Sequence, residues 1–189
     1  PTLAHYFKVP ITDTQWVSNG FLLALAISIP ASSWLGDRFG MKKIFHLSTL
    51  VFTVSAFLCA FSPNFYCLIM LRFIQGIGGG MLIPVGMTML YRVFEPKDYA
   101  NVTSFTFFPA LFAPALAPAL GGTIIHFLSW QWIFILTASF CSLTLILSFI
   151  FLKASDITKS TLFDWVGFLL AAVILASVSY THLTLPTKA

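Results

Sequence analysis

Arg72 is the one ionised side chain inside an apolar run, from about Phe65 to Tyr91, that is long enough to cross a bilayer. A charge at membrane depth costs a few kcal/mol or more, so it is kept where it faces a cavity or a partner and has a task. Two tasks fit the residue type. One is electrostatic: a cation within about 4–6 Å of a carboxylate depresses that acid's pKa by roughly 1–3 units. The alternative is a structural clamp hydrogen-bonded to backbone carbonyls. Gln75 follows one turn later. Gly76 and Gly80 then form a small-xxx-small face that lets another helix approach closely.

Two further clusters stand out. Asp37, Arg38, Gly40, Lys42 and Lys43 crowd a short polar stretch, Gly36 to Lys43, that reads as a tight turn held on the basic side of a membrane. A later apolar stretch carries Pro109, Pro114 and Pro118. There Ala113, Ala117 and Gly121 make one row at spacing four, and Pro114, Pro118 and Gly122 make the adjacent row. Proline removes a backbone donor and bends a helix. The small row is expected to allow close packing, and Phe108 and Phe112 beside it are candidates to line a greasy substrate cavity. No Ser/His, paired-Asp or metal-ligand constellation is embedded in the apolar runs, so neither a catalytic nor a metal site is expected. Cys59, Cys67 and Cys141 show no CxxC spacing and read as small buried hydrophobes. The run Gly76 to Gly80 sits mid-span instead of between a strand and a helix, which excludes a dinucleotide fingerprint. His46 and His126, at span ends, read as interfacial.

The elements that must position these residues follow from composition. Hydrophobic residues make up 58% of the 189 and charged ones 8%, against about 25% charged in a soluble domain. The expected class is an all-α polytopic membrane protein with the lipid bilayer as its partner. Spans are predicted at about 15–35 (with a kink at Pro30), 44–61, 65–91, 101–125 and 130–152, each near the ~20 residues a crossing needs. Residues 1–14 read as a segment before the first full span, 153–163 as a polar loop and 164–177 as the start of another span. Stretches after the first, third and fifth full spans hold Arg38, Lys42, Lys43, Arg92, Lys97, Lys153 and Lys159; the other side has only Lys8. By the positive-inside rule the first set is cytoplasmic. Trp16, Trp34, Trp130, Trp132 and Trp165 fall at span ends as an aromatic belt. Basic residues confined to such loops give no reason to expect nucleic acid. Asn101-Val102-Thr103 matches a glycosylation sequon but lies at a cytoplasmic span end, which discards it. Residues 178–189 interrupt an apolar span with polar residues and resemble a translated sequencing adapter, so they are set aside as a non-native scar. The chain opens at Pro1 without an initiator Met or a basic leader, and is read as cut at both ends.

These motifs resemble the major facilitator superfamily. Its loop between helices 2 and 3 reads Gly-x-x-x-Asp-Arg/Lys-x-Gly-x-Arg/Lys-Arg/Lys, matched by Asp37, Arg38, Gly40, Lys42 and Lys43, with Ser33 in place of the first Gly. The resemblance implies that Asp37 belongs to a conformational latch whose usual partner lies in the other half of the transporter, a half this chain lacks. Leu68-x-x-x-Arg72-x-x-Gln75-Gly76-x-Gly78 is similar to the helix 4 motif of the superfamily's proton-coupled exporters, which implies that Arg72, with Gln75, sets the protonation of a nearby acid. That acid is expected on helix 1, before Pro1. Pro118, Gly121 and Gly122 match the helix 5 antiporter motif, with Ala117 replacing its first Gly and Pro114 one turn earlier. Thr14-Gln15-Trp16-Val17, Ser129-Trp130-x-Trp132-Ile133-Phe134 and Phe163-Asp164-Trp165-x-Gly167 resemble the fourteen-span drug:proton antiporters. The chain would then run from the end of helix 1 to the start of helix 7, an N-terminal six-helix half cut at both ends.

The function this implies is proton-coupled efflux of lipophilic or cationic drug-like compounds by alternating access. It implies no enzyme and no cofactor, a proton gradient as the energy source, and a bacterial cytoplasmic (inner) membrane. One alternative is a superfamily transporter of a metabolite, sugar or siderophore. A second is a non-transporting sensor or assembly subunit on the same fold, which the co-occurrence of the Asp37, Arg72 and Pro118 motifs argues against.

Overall fold

A computed structural model of the chain describes residues 2–152 together with 168, 169 and 173. The predicted loop at 153–163, nearly all of the predicted helix start at 164–177 and the predicted scar at 178–189 lie outside the described residues. Among those described there is no strand. Helices α1 (Thr2–Phe7), α2 (Ile11–Phe39), α3 (Met41–Ala60), α4 (Phe65–Val93), α5 (Tyr99–Phe127) and α6 (Gln131–Phe151) follow in order, with a 3₁₀ turn at Pro96–Asp98. Five of them, α2 to α6, are long and apolar enough to cross a membrane.

The helices run past the apolar stretches that predict them. Asp37 and Arg38 are not in a loop: they form the last turn of α2, and Lys42 and Lys43 open α3. The chain turns at Gly40 alone, whose φ of 94° lies in the region that only glycine adopts without strain. The turn between α3 and α4 ends in a side-chain cap, Asn64 Oδ1 accepting from the Cys67 backbone N–H at 2.8 Å. Pro96 sets the 3₁₀ turn that carries the chain directly from α4 into α5.

Packing centres on α4. It lies mainly against α2 and α3, while α6 lies against α3 and α5 touches α6 only sparsely. Glycine makes the α4 contacts possible. A Cβ at Gly76 would stand 2.3 Å from the Phe21 carbonyl oxygen, and one at Gly80 the same distance from the Leu25 carbonyl oxygen, so α2 backbone rests directly on this face. On the opposite side a Cβ at Gly78 would stand 2.8 Å from the Ser48 carbonyl oxygen of α3. With no hydrophobic driving force between helices in lipid, such close approach supplies dispersion contact that larger residues would block.

Two apolar clusters flank this seam. At the Asn64 end Val17, Cys59, Phe65, Leu68 and Trp130 pack with Phe7 and Phe134; at the Gly40 end Met41, Ile44 and Val85 pack with Leu35, Phe45 and Met89. Three buried hydroxyls stay inside their own helices: Ser28 donates to Ala24 O, Thr49 to Phe45 O and Thr53 to Thr49 O, each at 2.7 Å. That leaves no polar group facing the hydrocarbon unpaired at these positions. The three cysteines are free thiols, Cys59 fully buried.

Helix α5 departs from the expectation of close packing. It has no buried residue, and a Cβ at Gly121 or Gly122 would meet nothing within 4 Å. Its small rows carry few atoms with which to reach α6, so among the described residues the Pro/Gly faces stand open.

Candidate functional site: a half-buried arginine between aromatic rings

Arg72 sits two turns into α4 from the Asn64 cap, about 12 Å along the axis at 1.5 Å per residue. Its guanidinium is held by four groups from three helices. Nε donates to the Val17 carbonyl oxygen of α2 at 3.2 Å, and a terminal nitrogen donates to Gln75 Oε1 at 2.9 Å. Its carbon lies 4.4 Å from the Phe21 ring centroid of α2 and 5.6 Å from that of Phe134 on α6. A cation over an aromatic face is stabilised by about 0.5–2 kcal/mol, with the larger value where water is excluded. Gln75, 1% exposed, is locked in the seam next to Gly76. No carboxylate among the described residues forms an ion pair with Arg72. Of the five N–H groups of a guanidinium, two are used here, which leaves an edge open to an acid or a ligand.

The rings are themselves supported. Phe21 meets Phe52 of α3 edge-on at 6.5 Å, and Phe134 meets Trp130 at 5.9 Å. Gly79 leaves room for the Phe52 ring, which a Cβ there would meet at 3.2 Å, with the tip of Phe21 in ordinary contact at 3.7 Å. The glycine seam therefore does two things: it brings α2 onto α4, and it slides Phe21 beneath Arg72.

The basic cluster occupies the Gly40 end. Asp37 pairs with Arg92, in the last turn of α4, at 3.3 Å and partly exposed. An acid in the last turn of α2 opposes the helix dipole, and Arg92 offsets that. Arg38 stacks over Trp34 at 5.1 Å. Lys42 donates to the Leu152 carbonyl oxygen at the C-terminal end of α6, and His46, one turn on, stacks on Phe149 at 4.0 Å between ring centroids. Lys43 is exposed. One short turn thus ties the Gly40 ends of α2, α4, α3 and α6 together.

The remaining predicted residues are not drawn into either group. Phe108 and Phe112 pack on each other at 4.9 Å but are 62% and 52% exposed, so they line an open face and not an enclosed cavity. Pro114, Pro118, Gly121 and Gly122 lie on the open side of α5. Phe21, Phe134 and the Val17 carbonyl carry no local sequence signal, because they meet Arg72 only across helix contacts. Arg92 was findable: it and Asp37 are opposite charges at span ends on the same side of the membrane.

An all-helical array of membrane-length segments, with a half-buried arginine on a glycine-faced helix and a charged one-glycine turn, defines a polytopic membrane protein. The chain belongs to the Major Facilitator Superfamily, whose family model matches residues 1–185. It is 37% identical over 173 residues to the multidrug resistance protein B homolog of Mycobacterium tuberculosis, covering 92% of this chain and 32% of that protein. It is 35% identical over 179 residues to the putative multidrug resistance protein MdtD of Pectobacterium carotovorum, covering 95% of this chain and 38% of that one. With MdtD of Yersinia enterocolitica the identity is 33% over 165 residues, 87% of this chain and 35% of the relative. The chain spans about a third of the length of these curated relatives.

Proposed function

We propose that this chain is part of the N-terminal half of a proton-driven exporter of lipophilic or cationic drug-like compounds. It would work by alternating access in a bacterial cytoplasmic membrane, with the proton gradient as its energy source and no cofactor. The observation that carries the reading is Arg72: a half-buried cation, held by neutral partners among the described residues, with three N–H groups left to meet an acid. A guanidinium in that state lowers the proton affinity of a carboxylate that reaches it, and releases the proton-loaded form. Substrate and proton would then compete at a cavity near the midplane, shared with a C-terminal half. The names of the relatives, all multidrug resistance proteins, support the substrate class.

The inner turn has a separate role in this scheme. Asp37, Arg38, Gly40, Lys42 and Lys43 form a latch that favours one conformation, with Arg92 holding Asp37 within this half. The open face of α5, with Pro114, Pro118, Gly121 and Gly122, is the bending element, and Phe108 and Phe112 join the substrate cavity when the other half closes on it.

The test is drug transport by the full-length protein in liposomes at several imposed pH gradients. Wild type is expected to export in proportion to the gradient, and Arg72→Ala to lose that dependence. Gradient-dependent export by Arg72→Ala at the wild-type rate would contradict the coupling role.

A further inference from the structure

The four groups that hold Arg72 are unequal. The two hydrogen bonds use the edge of the guanidinium, while Phe21 and Phe134 approach its carbon within cation–π distance from α2 and α6. An acid that recruits Arg72 meets the free edge, and must either share the cation with the rings or draw it away from them. We propose that Phe21 and Phe134 are positioning residues that compete with the proton-carrying acid for Arg72, and so set how readily that acid gives up its proton. This rests on the coupling role proposed above for Arg72, and it adds two residues from other helices to that site.

Three features support the assignment. The Phe21 carbonyl oxygen rests against Gly76 and its ring meets Phe52 edge-on at 6.5 Å, so both its backbone and its ring have a neighbour that holds them beside Arg72. Phe134 is fixed by Trp130, itself buried in the cluster at the Asn64 end. The surroundings hold little else that titrates. From α3 comes the Cys59 thiol, buried in the same cluster as Val17; from α2 come the Val17 carbonyl and Phe21, from α6 Phe134, and from α4 itself Gln75. Among the described residues no acid pairs with the cation, so the rings carry the electrostatic hold that an acid would otherwise provide.

The sign follows from linkage. Rings stabilise the cation where it stands and weaken its pull on a carboxylate. Removing a ring strengthens the Arg72–carboxylate pair, favours the ionised acid and moves the pH of half-maximal exchange downward. A cation–π contact of this size corresponds to about 0.4 to 1.5 pH units, roughly a 2- to 30-fold change in proton affinity. Phe21, the closer ring, should give the larger shift.

The experiment is substrate exchange against pH by the full-length transporter in liposomes, comparing wild type with Phe21→Leu, Phe134→Leu and Phe21→Tyr. Leucine keeps apolar bulk without the ring face, and tyrosine keeps the face. The expected result is a downward midpoint shift for both leucine variants and a near wild-type midpoint for Phe21→Tyr. Arg72→Ala is run alongside. An altered Arg72→Ala profile with unshifted midpoints in the leucine variants overturns this proposal alone, because it reduces the rings to packing. An Arg72→Ala profile equal to wild type overturns the coupling role and this proposal with it. Should Phe21→Leu fail to assemble, the Phe134→Leu midpoint decides.

Discussion

The Gly76→Ala and Gly80→Ala substitutions test the glycine seam and, through it, the site. At each position the added methyl would lie 2.3 Å from an α2 carbonyl oxygen, Phe21 O or Leu25 O. Ordinary contact is about 1 Å longer, and no rotamer change moves a backbone carbonyl, so α2 must retreat or bend. Alanine gains about 1 kcal/mol over glycine in helix propensity. Overpacking costs about 1–3 kcal/mol, and contact with rigid backbone belongs at the upper end. The expected net effect is a destabilisation of about 1–2 kcal/mol for each variant. Retreat of α2 would also lengthen the bond from Arg72 to Val17 O, already 3.2 Å, and lift Phe21 from the guanidinium. The controls are Gly20→Ala and Gly86→Ala, where the nearest neighbours, Ile69 Cγ2 and the Phe45 ring, would both be 3.7 Å away. Those two should keep or raise the melting temperature. The assay is thermal unfolding of the purified full-length protein in a single detergent, with exchange activity measured in parallel. Gly76→Ala and Gly80→Ala melting together with the controls would refute the seam.

At the inner turn, Asp37→Asn or Arg92→Gln should slow exchange while changing the melting free energy by less than about 1 kcal/mol, since the pair is partly exposed. The exchanged pair Asp37→Arg with Arg92→Asp should recover part of the rate; equal rates for both single variants and wild type would remove the pair from the latch. Orientation is tested by cysteine labelling. Cys67 lies half-buried at the outer end of α4, Cys59 is fully buried, and Cys141 is midway along α6. A membrane-impermeant maleimide added to intact cells should label Cys67 and spare the other two. Labelling of Cys67 only after permeabilisation would reverse the assigned orientation.

The spans and the exceptional status of Arg72 were legible in the sequence because hydrocarbon imposes length and apolarity, and both are written residue by residue. Helix ends were less so. Asp37, Arg38, Lys42 and Arg92 are polar, and polarity reads as loop; yet long side chains at membrane ends reach water from within a helix, so the helices extend through them. Between α2 and α3 only Gly40 lies outside a helix, and its positive φ sets it apart from the other described glycines. The partners of Arg72 were not legible, because Phe21 and Phe134 resemble any of the 21 phenylalanines until the helices are packed. The small rows of α5 show the converse: spacing announced a packing face, but no neighbour among the described residues occupies it.

The most direct test of the account is the number of protons moved per drug molecule by the full-length protein in liposomes, for wild type, Arg72→Lys and Arg72→Ala. The account predicts a fixed stoichiometry in wild type, weakened coupling with lysine, which keeps the charge but loses the planar ring contacts, and drug movement uncoupled from protons with alanine. Wild-type stoichiometry in Arg72→Ala would contradict it.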